Sequence, residues 1–142
     1  MSLGSSLSRD HPLILVVDDD ASDRALIEHV LTKYGYTVLT IETCELALRV
    51  METIVPIVIV VDVSLPGMSG FDLCSVLKSD DRLRSIPVVF LSGRDSPTDF
   101  QIGREVGGVF YLTKSAGMEY LLNVVRMLCA VRSARRPFPV NS

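Results

Sequence analysis

The chain has 142 residues, 48% hydrophobic and 22% charged, with a formal net charge of -3 and three cysteines. That is the size of one ordinary domain, long enough to bury a core without disulfide staples, and nothing in the balance marks a disordered, fibrous or generally nucleic-acid-binding chain. The most apolar continuous segment, Ile54 to Val61, is interrupted by Pro56 and falls far short of the roughly 20 residues that span a bilayer.

In chain order, residues 1–11 read as a flexible start, without the basic-then-apolar plan of a secretory signal, so a cytoplasmic location is expected. The run LILVV, Leu13 to Val17, predicts a buried strand. SDRALIEHVLTKYG then sets Leu26, Ile27, Val30 and Leu31 at helical spacing, with Gly35 as a stop. TVLTI, Thr37 to Ile41, predicts the second strand and TCELALRVMET the second helix. Ile57 to Val61 predicts the third strand, and Phe71 to Lys78 a helix carrying Phe71, Leu73, Cys74 and Leu77 in register. PVVFL, Pro87 to Leu91, is the fourth strand; Ser96 and Pro97 mark a helix start by cap and first-turn proline. VFYL, Val109 to Leu112, is the fifth strand, and the last helix runs from about Met118 to Val131, with residues 132–142 as a tail or linker.

Strand and helix thus alternate about five times, with connections suited only to parallel crossovers. Right-handed crossovers give an open, doubly wound α/β sheet of five parallel strands with helices on both faces, flavodoxin-like, for which the order 2-1-3-4-5 is expected. In such sheets the functional site lies outside the carboxyl ends of the strands.

The residues at those ends are chemically specific. Strand one ends in Asp18, Asp19 and Asp20, strand three in Asp62 and strand four in Ser92; Lys114 follows strand five. Two carboxylates about 4 Å apart repel by roughly 4 kcal/mol at an effective dielectric of 20. Three of them on one rim therefore need positive charge beside them: Lys114 supplies one unit, and an oxygen-loving divalent cation such as Mg2+ suits the rest. An aspartate so placed can act as a nucleophile and form an aspartyl phosphate. Taken singly the residues have plainer readings: Asp20 or Ser22 as the cap of the first helix, Asp18 as a turn residue, Ser92 as a loop hydroxyl, Lys114 as a solvated lysine. Asp62 is harder to explain that way, because Pro66-Gly67 marks a loop where no helix starts.

Cys44, Cys74 and Cys129 are widely spaced among apolar residues without a CxxC pair, and read as core packing in a reducing compartment. His11 and His29 form no zinc constellation with them. The basic residues Arg126, Arg132, Arg135 and Arg136 read as the solvated end of a helix, so neither nucleic acid nor membrane is an expected partner.

Four motifs together resemble the receiver domain of the bacterial two-component response regulators over about residues 12–131: LILVVDDD, VVDVSLPGMSG as D-x-x-L-P-x-x-x-G, PVVFLSG, and YLTK. The resemblance implies that Asp62 accepts a phosphoryl group from a phosphohistidine of a sensor kinase or histidine phosphotransfer protein. It implies Mg2+ held by Asp19 and Asp62, by the Ser64 backbone carbonyl, and by Asp18 largely through water. Lys114 would pair with the carboxylate and then with a phosphoryl oxygen, Ser92 would donate its hydroxyl to the phosphoryl group, and Tyr111 would turn inward once the Ser92 loop has moved. Ser64 and Arg94, each two residues beyond a site residue, are expected to tune the lifetime of the phosphorylated state.

Three departures stand out. Ser115 replaces the proline that commonly follows the lysine with a cis bond, a bond that would cost about 2.5 to 4 kcal/mol before serine. Ser92-Gly93 replaces Thr-Ala. Val109 and Phe110 replace an acidic pair, and the last helix is unusually apolar at Leu121, Leu122, Val124, Val125, Met127, Leu128 and Val131. A homodimer or partner interface is therefore expected on helix four, strand five and helix five. The competing functions are a phosphohydrolase, disfavoured because Ser64 stands where a second Asp would act as acid and base, a nucleotide-binding enzyme, which lacks its glycine-rich loop, and a phosphorylation-independent interaction module on the same fold.

Overall fold

The computed structural model describes residues 13–94 and 96–135, with side chains through residue 131. The expectations for residues 1–11 and for the end of the tail fall outside these residues. The strands are β1 (Leu13–Val17), β2 (Thr37–Ile41), β3 (Val58–Asp62), β4 (Val88–Ser92) and β5 (Phe110–Thr113). The helices are α1 (Ala21–Lys33), α2 (Cys44–Val50), α3 (Gly70–Lys78), α4 (Pro97–Glu105) and α5 (Met118–Arg135), with a 3-10 turn at Lys114–Ala116. All strands are parallel, in the order β2-β1-β3-β4-β5. The doubly wound sheet expected from the alternation is present.

Each central strand alternates its side chains between two cores. Leu15 and Val17 of β1, Ile59 and Val61 of β3, and Val88 and Phe90 of β4 face the core shared with Cys44, Ala47, Leu73 and Leu77 of α2 and α3. Ile14, Val16, Val58, Val60, Val89 and Leu91 face the opposite core, closed by Ile27 and Leu31 of α1 and by Leu121, Leu122, Val125 and Cys129 of α5. Strands buried on both faces read as continuous apolar runs, which is why β1, β3 and β4 lack any polar alternation.

The caps follow local chemistry. Asp20 caps α1 by accepting from the Asp23 backbone N–H, Thr43 caps α2, Ser69 and Asp72 form a reciprocal capping box on α3, and Ser96 caps α4 ahead of Pro97. Three strand boundaries differ from expectation by one residue: β3, β4 and β5 each start and stop one position later. An apolar run records which side chains are buried, whereas a strand ends where its ladder ends. Asp62 still pairs with Leu91, and Ser92 with Thr113, although both residues are polar. The last helix also continues past Val131 through Arg135, and within it Met127 and Val131 are about half exposed while Leu121, Leu122, Val124 and Val125 are buried.

Candidate functional site: an acidic rim around one lysine

The carboxyl ends of β1, β3 and β5 meet at one edge of the sheet. Asp18, directly after β1, is fully buried. Its backbone N–H donates to the Ile41 carbonyl at 3.0 Å, its carbonyl accepts from Arg24 Nη1 at 2.8 Å, and its Oδ1 accepts from the Asp20 N–H at 2.9 Å. Its Oδ2 is buried without a hydrogen bond of good geometry, although the Lys114 ammonium lies 3.1 Å away. Asp62 is 6% exposed; its Oδ1 accepts from the Ser64 N–H at 2.8 Å and its Oδ2 from Lys114 Nζ at 2.9 Å. Asp19 is exposed at the mouth, and one carboxylate oxygen from each of Asp18, Asp19 and Asp62 lies within 4.8 Å of the others.

Burial pushes the Asp18 carboxyl above its ordinary range, against the opposing pull of the Asp20 N–H and Lys114. Burial also pulls the Lys114 ammonium down, but the hydrogen bonds it donates to Asp23 and Asp62, with the Asp18 carboxylate beside it, outweigh that and hold the lysine well above its ordinary value. The nearby Arg24 guanidinium is engaged with the Asp18 carbonyl and lies 3.9 Å from Glu42, so the rim keeps an excess of negative charge. A buried carboxylate oxygen without a hydrogen bond, three convergent oxygen donors and no histidine or thiolate among them fit a hard divalent cation such as Mg2+.

The other expected residues lie around this centre. Ser92 is 1% exposed, and its hydroxyl donates to the Arg94 carbonyl at 2.9 Å and accepts from the Arg94 N–H at 3.0 Å, so it is engaged in its own loop. Tyr111 is half-buried: its ring packs edge-on to Phe100 with centroids 6.0 Å apart, and its hydroxyl is buried without a partner. Ser64 and Arg94 are exposed, and Arg94 lies 3.7 Å from Asp99. Lys114 opens the 3-10 turn that contains Ser115, and the described residues contain no cis peptide. Asp20 is the helix cap.

Two participants escape sequence reasoning. Asp23 accepts from Lys114 Nζ at 2.7 Å; in the sequence it is an ordinary first-turn acid complementing the helix dipole. Glu45, in the first turn of α2, accepts from the Met68 N–H at 3.0 Å and so pins the loop that follows Asp62. At the turn itself Gly67 has φ of +74°, a conformation that favours glycine.

All three cysteines are buried and none is disulfide-bonded. Burial, with the neighbouring acids Glu45, Asp72 and Asp62, pushes the Cys44 thiol up to about 12 from 9.0. Its thiolate fraction near neutral pH is then roughly a thousandfold lower than that of an unperturbed cysteine. Iodoacetamide at pH 8 is expected to leave Cys44 unmodified in the native protein over a time that fully alkylates it in urea, as read by peptide mass. Rapid native labelling of Cys44 would contradict its burial.

A family profile described as "Response regulator receiver domain" matches residues 14–126. The chain belongs to the response regulator receiver domain family. The receiver domain is 33% identical over 114 residues to the protein PilG of Pseudomonas aeruginosa, covering 80% of this chain and 84% of PilG. It is 39% identical over 115 residues to the response regulator PleD of Caulobacter vibrioides, covering 81% of this chain but 25% of PleD. The receiver domain therefore spans only a quarter of that relative's length. Among solved structures, the chemotaxis response regulator CheY4 of Vibrio cholerae superposes with a TM-score of 0.78 at 30% identity, over 83% of this chain and 98% of CheY4. As a receiver domain of two-component systems the chain is a signalling domain whose family partners with histidine kinases and binds Mg2+ at an acidic cluster; the cluster here is Asp18, Asp19 and Asp62. Among the described residues, no helix is long and apolar enough to cross a membrane.

Proposed function

We propose that this receiver domain takes a phosphoryl group onto Asp62 from a phosphohistidine of a partner kinase or phosphotransfer protein. The observation that carries the reading is the position of Asp62: at the end of β3, hydrogen-bonded to Lys114 at 2.9 Å and within 4.8 Å of the Asp18 and Asp19 oxygens. In the transfer an Asp62 carboxylate oxygen supplies the electron pair for a new O–P bond while the donor's P–N bond breaks, its electron pair staying on the imidazole. The Ser64 N–H orients the carboxylate, and Lys114 meets the charge of the arriving oxygens. Ser92 exchanges its bond to the Arg94 carbonyl for one to a phosphoryl oxygen. Bound Mg2+, held by Asp18, Asp19, Asp62 and the Ser64 carbonyl, would supply two positive charges that let a dianion approach this acidic rim.

The same reading makes α4, β5 and α5 the output surface. Phe100 on α4, Val109 just before β5, and Tyr120 and Met127 on α5 are each about half exposed. The contact between Tyr111 and Phe100 links β5 to α4 beside the Ser92 loop. Movement of Ser92 toward a phosphoryl group would repack these rings and favour a second copy or another partner on this face. Ser64 and Arg94, exposed at the rim, are the positions from which side chains would govern the access of water to the phosphoryl group.

Incubation with acetyl phosphate and Mg2+, followed by intact-mass measurement, is expected to add one phosphoryl group per chain. Catalytic turnover without an adduct would favour a hydrolase, and neither adduct nor turnover would favour a phosphorylation-independent interaction module. Mg2+ itself should stabilise the fold, by about 2.7 kcal/mol at a hundredfold excess over its dissociation constant. Asp18→Asn should lose most of that gain in thermal melts; an equal response to Mg2+ in the variant would remove Asp18 from the metal site.

A further inference from the structure

Asp23 is an acid of the rim that the proposed chemistry leaves unused, and its placement is tightly determined. Its backbone N–H is held by the cap residue Asp20 at 2.9 Å, and the next residue, Arg24, is tied to the Asp18 carbonyl at 2.8 Å. The first turn of α1 is thereby fixed against the end of β1. Across 91 positions of sequence, the Asp23 carboxylate then makes the shortest of the three contacts to Lys114 Nζ: 2.7 Å, against 2.9 Å to Asp62 and 3.1 Å to Asp18.

An ammonium has three N–H donors. Two of them reach Asp23 Oδ2 and Asp62 Oδ2, and Asp18 Oδ2 lies 3.1 Å away without a hydrogen bond, so a phosphoryl oxygen reaching Lys114 meets an ammonium already surrounded by three carboxylates. Asp18 and Asp62 are buried at adjacent strand ends, with side chains 1% and 8% exposed, whereas the Asp23 side chain is 37% exposed and can return to water. An isolated exposed ion pair would contribute little. This one differs because it shares its nitrogen with the residue proposed to be phosphorylated.

Resting on the reading of Asp62 as phosphoacceptor, we infer that Asp23 is a latch on Lys114: it holds one of the ammonium's donors and sets its charge against the incoming phosphoryl group, slowing the loading of Asp62. Loading breaks the Asp23–Lys114 contact, forms a Lys114–phosphoryl contact in its place, and leaves the Asp23 carboxylate solvated near the new dianion. Asp23 is a positioning residue in this scheme and takes no part in bond making.

The test compares wild type with Asp23→Asn, which keeps shape and removes charge, and Asp23→Glu, which restores charge. Phosphoryl uptake from acetyl phosphate with Mg2+ is expected to be about tenfold faster in Asp23→Asn, the size of effect a single nearby charge exerts in a partly solvated site. Beryllofluoride affinity should rise by a similar factor, and Asp23→Glu should fall back toward wild type. In the metal-free protein the Lys114 Cε resonance should move in Asp23→Asn and return in Asp23→Glu. In a Lys114→Ala background the gain from Asp23→Asn should shrink below about twofold, because the latch acts through that ammonium. Uptake that is unchanged or slower in Asp23→Asn, or a gain that persists without Lys114, overturns the latch and leaves Asp62 as acceptor untouched. Failure of the wild type to load at all overturns both readings.

Discussion

Asp62→Asn is expected to take up no phosphoryl group under conditions that load the wild-type chain fully, a loss of at least about a thousandfold in rate, or about 4 kcal/mol in the barrier. The amide oxygen keeps its lone pairs but lacks the carboxylate's negative charge, and is too weak a nucleophile to attack phosphorus. The fold should survive, since Asn can still accept the Ser64 N–H through its carbonyl oxygen, as Asp62 Oδ1 does at 2.8 Å. Intact-mass measurement after acetyl phosphate and Mg2+ reads the adduct, and thermal melting checks that the variant is folded. An adduct at the wild-type rate in a folded Asp62→Asn chain would move the acceptor to another residue, Asp18 or Asp19 being the nearest, and the proposed chemistry would fall.

Gly70→Ala is expected to cost about 2 to 3 kcal/mol of stability and to impair loading of Asp62 in the same molecule. Gly70 opens α3 directly after its cap Ser69, and a Cβ there would sit 2.6 Å from the Asp62 carbonyl oxygen, 3.2 Å from the Asp62 carbonyl carbon and 3.2 Å from Val61 Cγ2. The nearest neighbour is backbone, which cannot rotate away as a side chain would. Relief requires either α3 to lift off the sheet or the end of β3 to shift, and the second displaces Asp62 relative to Lys114. Gly93→Ala is the control: a Cβ there meets nothing within 4 Å, so its unfolding free energy should stay within about 0.5 kcal/mol of wild type. Urea unfolding of both variants makes the comparison. A Gly70→Ala chain of wild-type stability would mean that the close approach of α3 to β3 is not held in solution.

Much of this site was legible in the sequence because a parallel sheet converts chain order into spatial order. Runs such as LILVV and IVIVV mark strands buried on both faces, and short crossovers force those strands to run parallel, so their last residues share one rim. Strand order alone assigns Asp18, Asp19, Asp62, Ser92 and Lys114 to that rim. The shift of β3, β4 and β5 by one residue shows the limit of such reading: hydropathy reports burial of side chains, and the ladder that defines a strand is made by backbone groups that every residue except proline carries in full. The final glycine of the D-x-x-L-P-x-x-x-G motif was visible as a letter at position 70, but its reason, the 2.6 Å approach to the Asp62 carbonyl, was not.

By itself the sequence determined the order of elements, the parallel sheet and the acids and lysine at its rim, because these follow from periodicity and from the direction of the strands. Only the tertiary structure decided which acids share the Lys114 ammonium, that Ser92 is engaged with its own loop, and that Tyr111 is half-buried against Phe100. Those contacts depend on the height of α1 against β1, on the path of a loop and on the rotamer of one ring. Each is set by packing among residues far apart in the chain, and no local pattern encodes it.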